Sequence, residues 1–197
     1  MGSDGTRELI RATALELFSK KGYAAVSMRD ISGAVGIRPS SLYYHFKSKQ
    51  DIFDAVVQKA DALTDELKGM FFNALGNSSE VKCKHFVMAG KAFVTGYLHN
   101  DKIGPLFQML ENERFHDSRS NDLWKKMLFD APIEHETLVF KALYDGGIIK
   151  SNESERLAAE YHGIVMLGYF TGDTDRMTRE LTAFYNRVFK EKGVDRQ

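Results

Sequence analysis

The residues best suited to chemistry in this chain lie in one short run, Ser40-Ser41-Leu42-Tyr43-Tyr44-His45-Phe46-Lys47-Ser48-Lys49. Leu42 and Phe46 stand four apart, so on a helix they share one inward face. Ser40, Ser41, Tyr43, Tyr44 and His45 are then left for the outer faces. Hydroxyl, phenol and imidazole groups bond phosphate oxygens and base edges, and a tyrosine ring presses on a thymine methyl. Ser48 is placed to cap a following helix, which sets Lys47 and Lys49 beside its N-terminus. An ammonium next to free N–H groups suits a backbone phosphate.

The elements that must hold this run in place are legible just before it. Ser27 precedes Met28-Arg29-Asp30-Ile31, with Ile31, Ala34 and Val35 at helical spacing. Its hydroxyl can cap the first free N–H groups, and Asp30 suits the positive end of the helix. Gly36 is a left-handed stop. Ile37 reads as an apolar plug between two helices, and Pro39 fits the first turn of the second. Ahead of them a helix over Thr6–Lys21, with the stripe Leu9, Ile10, Ala14, Leu17 and Phe18, braces the pair and ends at Gly22. Two short helices around a glycine turn make a helix-turn-helix that sits on a duplex. A glycine between amphipathic helices also occurs in domains that never meet DNA. On that reading Tyr43 and Tyr44 are packing and Lys49 is a solvated charge.

The stretch Gly22-Tyr23 with Ser27, then Ile31, Val35-Gly36-Ile37 and Ser41-Leu42-Tyr43-Tyr44-His45-Phe46-Lys47-Ser48-Lys49, resembles the TetR/AcrR family of bacterial transcriptional regulators. The resemblance covers the first quarter of the chain; the rest is similar in length and helical character. It implies a homodimer, nine or ten helices per protomer and a ligand pocket in the C-terminal domain. It implies DNA contacts at Ser27 and Arg29, at Arg38, Pro39, Ser40, Ser41, Tyr43, Tyr44 and His45, and at Lys49 on a phosphate. Arg38 departs from the small capping hydroxyl common in the family. Pro39 stands where many members carry a polar or basic side chain. Both departures bear on base preference.

Composition bounds the rest. The chain has 197 residues, 43% of them hydrophobic, and formal net charge zero. That balance conceals a split. Residues 1–50 carry eight Lys and Arg against four Asp and Glu, a surplus of +4, and the remainder carries −4. A basic tip on an acidic body fits a dedicated DNA-facing end. Cys83 is the single cysteine, so a reducing cytoplasmic setting is expected and no intrachain disulfide is possible. Cys83 reads as a small core residue rather than a redox switch. No apolar run is long enough for a membrane span. The opening Met1-Gly2-Ser3-Asp4-Gly5-Thr6 matches the loose N-myristoylation pattern, but reads better as a disordered start.

After Lys49 a single long helix is expected to about Leu75, on Ile52, Phe53, Val56, Val57, Ala60, Leu63, Leu67, Met70 and Phe71. Gly76-Asn77-Ser78-Ser79 reads as a turn. Further helices are expected over Glu80–His99, Ile103–Phe115, Leu123–Phe129, Pro132–Tyr144, Glu155–Phe170 and Arg176–Lys190, with His116–Asn121 as a loop and Ile148-Ile149 locally extended. The expected fold class is all-α. An N-terminal three-helix helix-turn-helix domain, residues 1–50, is joined by the long helix to a helical effector-binding and dimerisation domain, residues 51–197.

Phenylalanines and methionines crowd the middle of the chain and suit an adaptable apolar cavity; plain core is the alternative. Phe93, Tyr97, Phe107, Trp124 and Met127 are the first candidates for its lining. Val139, Leu143, Leu157, Tyr161, Ile164, Val165, Leu167 and Gly168 can form a face on two helices. The resemblance implies that such a pair meets its symmetry mate as a four-helix bundle; packing only within the protomer is the alternative. No His-x-x-x-His pair or carboxylate cluster suggests a metal, and no nucleophile elbow, phosphate loop or dinucleotide fingerprint suggests catalysis or a cofactor. The expectation is a non-enzymatic, cytoplasmic, homodimeric repressor of a near-palindromic operator on double-stranded DNA, released by a small, largely apolar effector. The rival is a helical small-molecule-binding protein or enzyme that keeps the fold without DNA regulation.

Overall fold

The computed structural model describes residues 3–59, 81–101 and 103–189. Its helices are α1 (Ser3–Lys21), α2 (Met28–Val35), α3 (Pro39–His45), α4 (49–59 as described), α5 (Cys83–Ala92), α6 (Gly104–Glu113), α7 (Ser118–Lys125), α8 (Ala131–Asp145), α9 (Ser154–Thr171) and α10 (Thr174–Val188). Among the described residues there is no β-sheet, only an isolated antiparallel bridge between Ile149 and Phe189. The expected extension at Ile148-Ile149 is thus real but single. The expected course of the long helix beyond residue 59, and the turn at Gly76–Ser79, lie outside the described residues.

The chain divides into two compact units, one of residues 1–65 with 98–125, the other of 66–97 with 126–197. In the first, α1 packs on α2 and α6, α2 on α3, and α6 on α7. Ile10, Ala14, Phe18, Val26, Ile31, Leu42, Phe46, Ile52, Phe53 and Val56 are buried. Leu9, expected in the α1 stripe, is exposed, and Leu17 is half-buried. The inward face of α1 is therefore narrower than its apolar residues suggest. Ile37 is only half-buried and Ala34 is exposed, so Ile31 carries the α2 anchor.

Local chemistry sets the short helices. Ser27 Oγ accepts from Asp30 N at 3.2 Å while Asp30 Oδ2 accepts from Ser27 N at 2.8 Å, a reciprocal capping box. Gly36 takes φ 76°, a left-handed conformation that a β-carbon disfavours. Ser48 and Asp51 form a related cap at α4: Asp51 N donates to Ser48 Oγ at 3.1 Å, while Asp51 Oδ2 accepts from the N–H of the preceding residue, Lys47, at 3.0 Å. The segment expected as a loop at His116–Asn121 becomes helix from Ser118. Asp117 Oδ2 accepts from both Ser120 N and Ser120 Oγ at 2.7 Å, so a carboxylate cap starts α7 early.

In the second unit α8 packs on α9, α9 on α10 and α10 on α5. Their shared core is aromatic. Phe86 lies 5.1 Å from Tyr161 and 5.7 Å from Phe184 between ring centroids, and Phe140 lies 5.8 Å from Phe184. Gly90 and Gly168 make this approach possible. A β-carbon on Gly90 would sit 2.8 Å from Leu181, and one on Gly168 would sit 2.8 Å from Met177 Cβ. α5 and α7 each run on into a π-helical turn, Phe93–Leu98 and Lys126–Asp130. Such turns interrupt the regular helical hydrogen bonds, and the apolar periodicity predicts neither.

Candidate nucleic-acid interface

α3 is a seven-residue helix with one buried face. Leu42 is fully buried and the following Phe46 nearly so, which turns the rest of the helix outward. Pro39, Ser40 and Ser41 are exposed, and His45 is half-buried. Tyr43 is 49% and Tyr44 76% exposed. Two adjacent tyrosines are rarely left in water by a fold that needs them for packing. The inward alternative for them is thus not what the geometry shows. Ser27, Arg29, Arg38 and Lys47 are exposed as well. Arg38 precedes α3 without any side-chain cap, so its guanidinium is not committed to the helix end.

Two cations fix this surface from behind. Arg7 of α1 donates to the His45 carbonyl at 3.0 Å and lies 4.3 Å from the Phe46 ring centroid. It thereby holds the C-terminal end of α3, where a positive charge is favoured. Lys49 Nζ donates to the carbonyls of Tyr23 at 2.6 Å and Val26 at 2.7 Å, approaches that of Ala24 at 3.5 Å, and lies 4.2 Å from the Tyr23 ring. An ammonium has three donors, and here all three face the α1–α2 turn. A phosphate at Lys49 must share or displace those bonds. Ser27 is in a similar position, because its N–H and its hydroxyl both donate to Asp30 Oδ2, at 2.8 and 2.5 Å. Those bonds hold the Asp30 carboxyl below its ordinary range.

The α1–α2 turn is also tied to α6. Glu113 Oε1 accepts from Tyr23 N at 2.9 Å, and Asn112 Nδ2 donates to the Ser19 carbonyl at 3.4 Å. Arg119 pairs with Asp54 of α4 at 2.9 Å. In the sequence Arg7 counts only as charge, and Glu113 draws no notice. Each acts across a separation of 38 or 90 residues, for which no local pattern exists. The Ser48–Asp51 cap, by contrast, has a three-residue spacing that is readable.

The expected pocket residues fall in both units. Phe107 and Trp124 are buried in the first, where the Arg114 guanidinium stacks 3.9 Å over Trp124. Tyr97 and Met127 are buried in the second and Phe93 is half-buried there, 5.0 Å from Tyr97. Of the residues expected on a dimer face, Val139, Leu143, Leu157, Tyr161, Val165 and Gly168 are buried within the protomer, and Ile164 is half-buried. These side chains build the α8–α9–α10 core and do not form an outer face. Leu167 does stand outside, 41% exposed, with Leu138 and Phe170, at 55% and 56%. Gly163 shares that side of α9, and a β-carbon added to it would meet nothing within 4 Å. Periodicity places these residues on α8 and α9; helix rotation separates core from surface. Among the described residues no group of three His, Cys, Asp or Glu could hold a metal, and no helix is long and apolar enough to cross a membrane.

Residues 10–56 match the family described as "Bacterial regulatory proteins, tetR family". The transcriptional regulator AcrR of Shigella flexneri is 35% identical over 63 residues, 32% of this chain and 29% of that protein. IcaR of Staphylococcus aureus, the negative transcriptional regulator of the biofilm operon icaADBC, is 42% identical over 52 residues, 26% of this chain and 28% of its own length. The chain thus matches less than a third of the length of these relatives. The fold of the whole is similar to that of a TetR-family transcriptional regulator from Mesorhizobium loti, with TM-score 0.74, 17% identity, and coverage of 96% of this chain and 100% of the other. It is also similar to a transcriptional regulator from Saccharomonospora viridis in complex with choline, with TM-score 0.68, 18% identity, and coverage of 95% and 100%. Each of these proteins is named as a transcriptional regulator. The N-terminal part of the chain, residues 10–56, is thus similar to the TetR family of bacterial regulatory proteins.

Proposed function

We propose that this chain is a DNA-binding transcriptional repressor of the cytoplasm, released from its operator by a small, largely apolar ligand. The observation that carries the DNA reading is the outward face of α3, with Tyr43 and Tyr44 in solvent and Leu42 and Phe46 locked beneath them. On this reading Ser40, Ser41, Tyr43, Tyr44 and His45 enter the major groove. Arg29 and Arg38 reach base edges or phosphates beside it, Pro39 contacts the groove wall, and Ser27, Lys47 and Lys49 serve the backbone. The similarity to IcaR, a negative regulator, favours repression. The choline complex of a similar fold favours a small effector.

The functional division proposed is residues 1–50 for DNA and 51–197 for effector and self-association. A homodimer formed through the exposed side of α8 and α9, around Leu138, Gly163, Leu167 and Phe170, offers two copies of α3 to one duplex. Two-fold symmetry then calls for a near-palindromic operator with half-sites about 34–36 Å apart. Ligand in the body shifts the separation of the two α3 helices and lowers affinity. A coupling of about 1–3 kcal/mol gives a change of about 5–150-fold. The test is fluorescence anisotropy of the purified chain on duplex from upstream of its own gene, against random duplex, over a salt series. Operator preference and a steep loss with salt are expected. Absence of binding to any duplex at low salt contradicts the reading.

A further inference from the structure

The second unit holds a buried acid–base pair that the DNA reading does not use. Glu136 of α8 is 4% exposed and His162 of α9 1%. His162 Nε2 lies 2.6 Å from the Leu128 carbonyl, and Nδ1 lies 3.1 Å from Glu136 Oε1. A carbonyl only accepts, so Nε2 carries its hydrogen. One further proton then lies between Nδ1 and Oε1, giving either imidazolium with carboxylate or imidazole with carboxylic acid. Both forms are neutral as a pair. In both, Oε2 of Glu136 is an acceptor, and among the described residues it has no hydrogen-bond partner.

The surroundings are apolar and irregular. The Phe93 and Phe129 rings meet the imidazole edge-on, at 5.8 and 5.9 Å between centroids. Phe93 opens one π-helical turn, and Leu128, whose carbonyl holds His162, sits in the other. A buried carboxyl oxygen left without a donor loses the hydrogen bonds it makes in water and calls for an explanation. Aromatic walls around one or two convergent polar groups are the usual lining of a small-molecule site. Burial pushes the Glu136 carboxyl up, against the pull of His162.

We propose that Glu136 and His162 are the polar anchor of a ligand site in this unit, and that the site takes a largely apolar, uncharged molecule with a hydroxyl donor directed at Glu136 Oε2. The neutral pair supplies no net charge to repay the desolvation of an ammonium or a carboxylate, so a neutral donor fits it best. Glu136 sets specificity; His162 is a positioning residue that fixes the carboxyl through Oε1. The inference rests on the reading of the body as an effector domain and names the chemistry of that effector.

Titration calorimetry of the full chain with para-propylphenol and its methyl ether, para-propylanisole, tests it. The phenol is expected to bind at least about tenfold more tightly. Glu136→Gln keeps an acceptor at the Oε2 position, while its amide donates to Nδ1, so the preference persists. Glu136→Leu abolishes it. Should Glu136→Leu fail to fold, nitrogen NMR of the wild-type His162 ring decides: its signals move with the phenol and not with the ether. Equal affinity for the two probes, no saturable binding by either, or unmoved His162 signals on phenol binding would overturn the site. Operator affinity measured in parallel separates the two readings. Phenol that binds at Glu136 without releasing DNA refutes the switch and leaves the site. DNA release that persists in Glu136→Leu refutes the site and leaves the switch.

Discussion

The α2–α3 reader and the α8–α10 body solve opposite problems. The reader is small and must leave its polar side chains in water, so its backbone is held by caps that reach three or four residues: Ser27 with Asp30, Gly36 with Gly33 and Ser32, Ser48 with Asp51. The body must close around its own aromatic rings. It is held by contacts such as Tyr185 Oη to the Val81 carbonyl at 2.6 Å, across 104 residues. The function proposed for the reader lies in what remains exposed, and that proposed for the body lies in a polar pair that burial leaves partly unsatisfied. The difference shows that similar helical periodicity serves a surface in one place and an interior in the other.

Breaking the body should have the largest effect. Phe184 is 2% exposed and within ring contact of Phe86, Phe140 and Tyr161. Phe184→Ala is expected to destabilise the protein by about 3–5 kcal/mol, read by urea unfolding. Overpacking the same region comes next. Gly168→Ala sets a β-carbon against Met177 Cβ and should cost about 1–3 kcal/mol. Gly163→Ala on the same helix meets nothing and should gain roughly 0.5–1 kcal/mol from helix propensity. If sedimentation shows that Gly163→Ala loosens a dimer, the outer side of α9 is the interface; if the dimer is untouched, that assignment fails.

Lys49 probes the border between structure and DNA contact. Lys49→Ala removes the bonds to the Tyr23 and Val26 carbonyls. Hydrogen bonds from a charged group contribute about 1.5–3 kcal/mol each before solvent screening, and Lys49 is half-exposed, so a net loss of about 1–2 kcal/mol is expected by thermal unfolding. Affinity should fall alike for all duplexes. Loss of sequence discrimination alone would contradict a backbone role.

The smallest effect tests the caps. Ser27→Ala should raise the Asp30 carboxyl toward its ordinary value, read by carbon NMR titration. The sign follows from the lowered folded value. The capping contribution is complete above the ordinary carboxylate range and is lost as pH falls through the folded value. An Asp30 titration unchanged by the substitution would remove the capping box from the account.

Much of the reader was legible because its determinants are local. Ser27, Gly36, Pro39 and Ser48 each sit within a few residues of what they cap or stop, and Leu42 with Phe46 fixes which side of α3 is hidden. Arg7 and Glu113 were not legible, since their partners are distant in sequence: Arg7 meets the end of α3, and Glu113 meets the α1–α2 turn through the packing of α1 on α6. On α8 and α9 the apolar residues surround most of each helix, so periodicity named the helices but not the rotation that hides Leu157 and exposes Leu167. The π-helical turns and the Glu136–His162 pair depend on tertiary contacts and leave no mark in spacing.

On the proposed reading the exposed ring pair of α3 is there for DNA. Tyr43 and Tyr44 are surface residues, so replacing both with Ala should change stability by no more than about 0.5 kcal/mol. Operator affinity of that double variant, measured by anisotropy beside its melting temperature, is expected to fall at least about tenfold with the fold intact. Undiminished operator binding in a normally folded Tyr43→Ala, Tyr44→Ala protein would contradict the account.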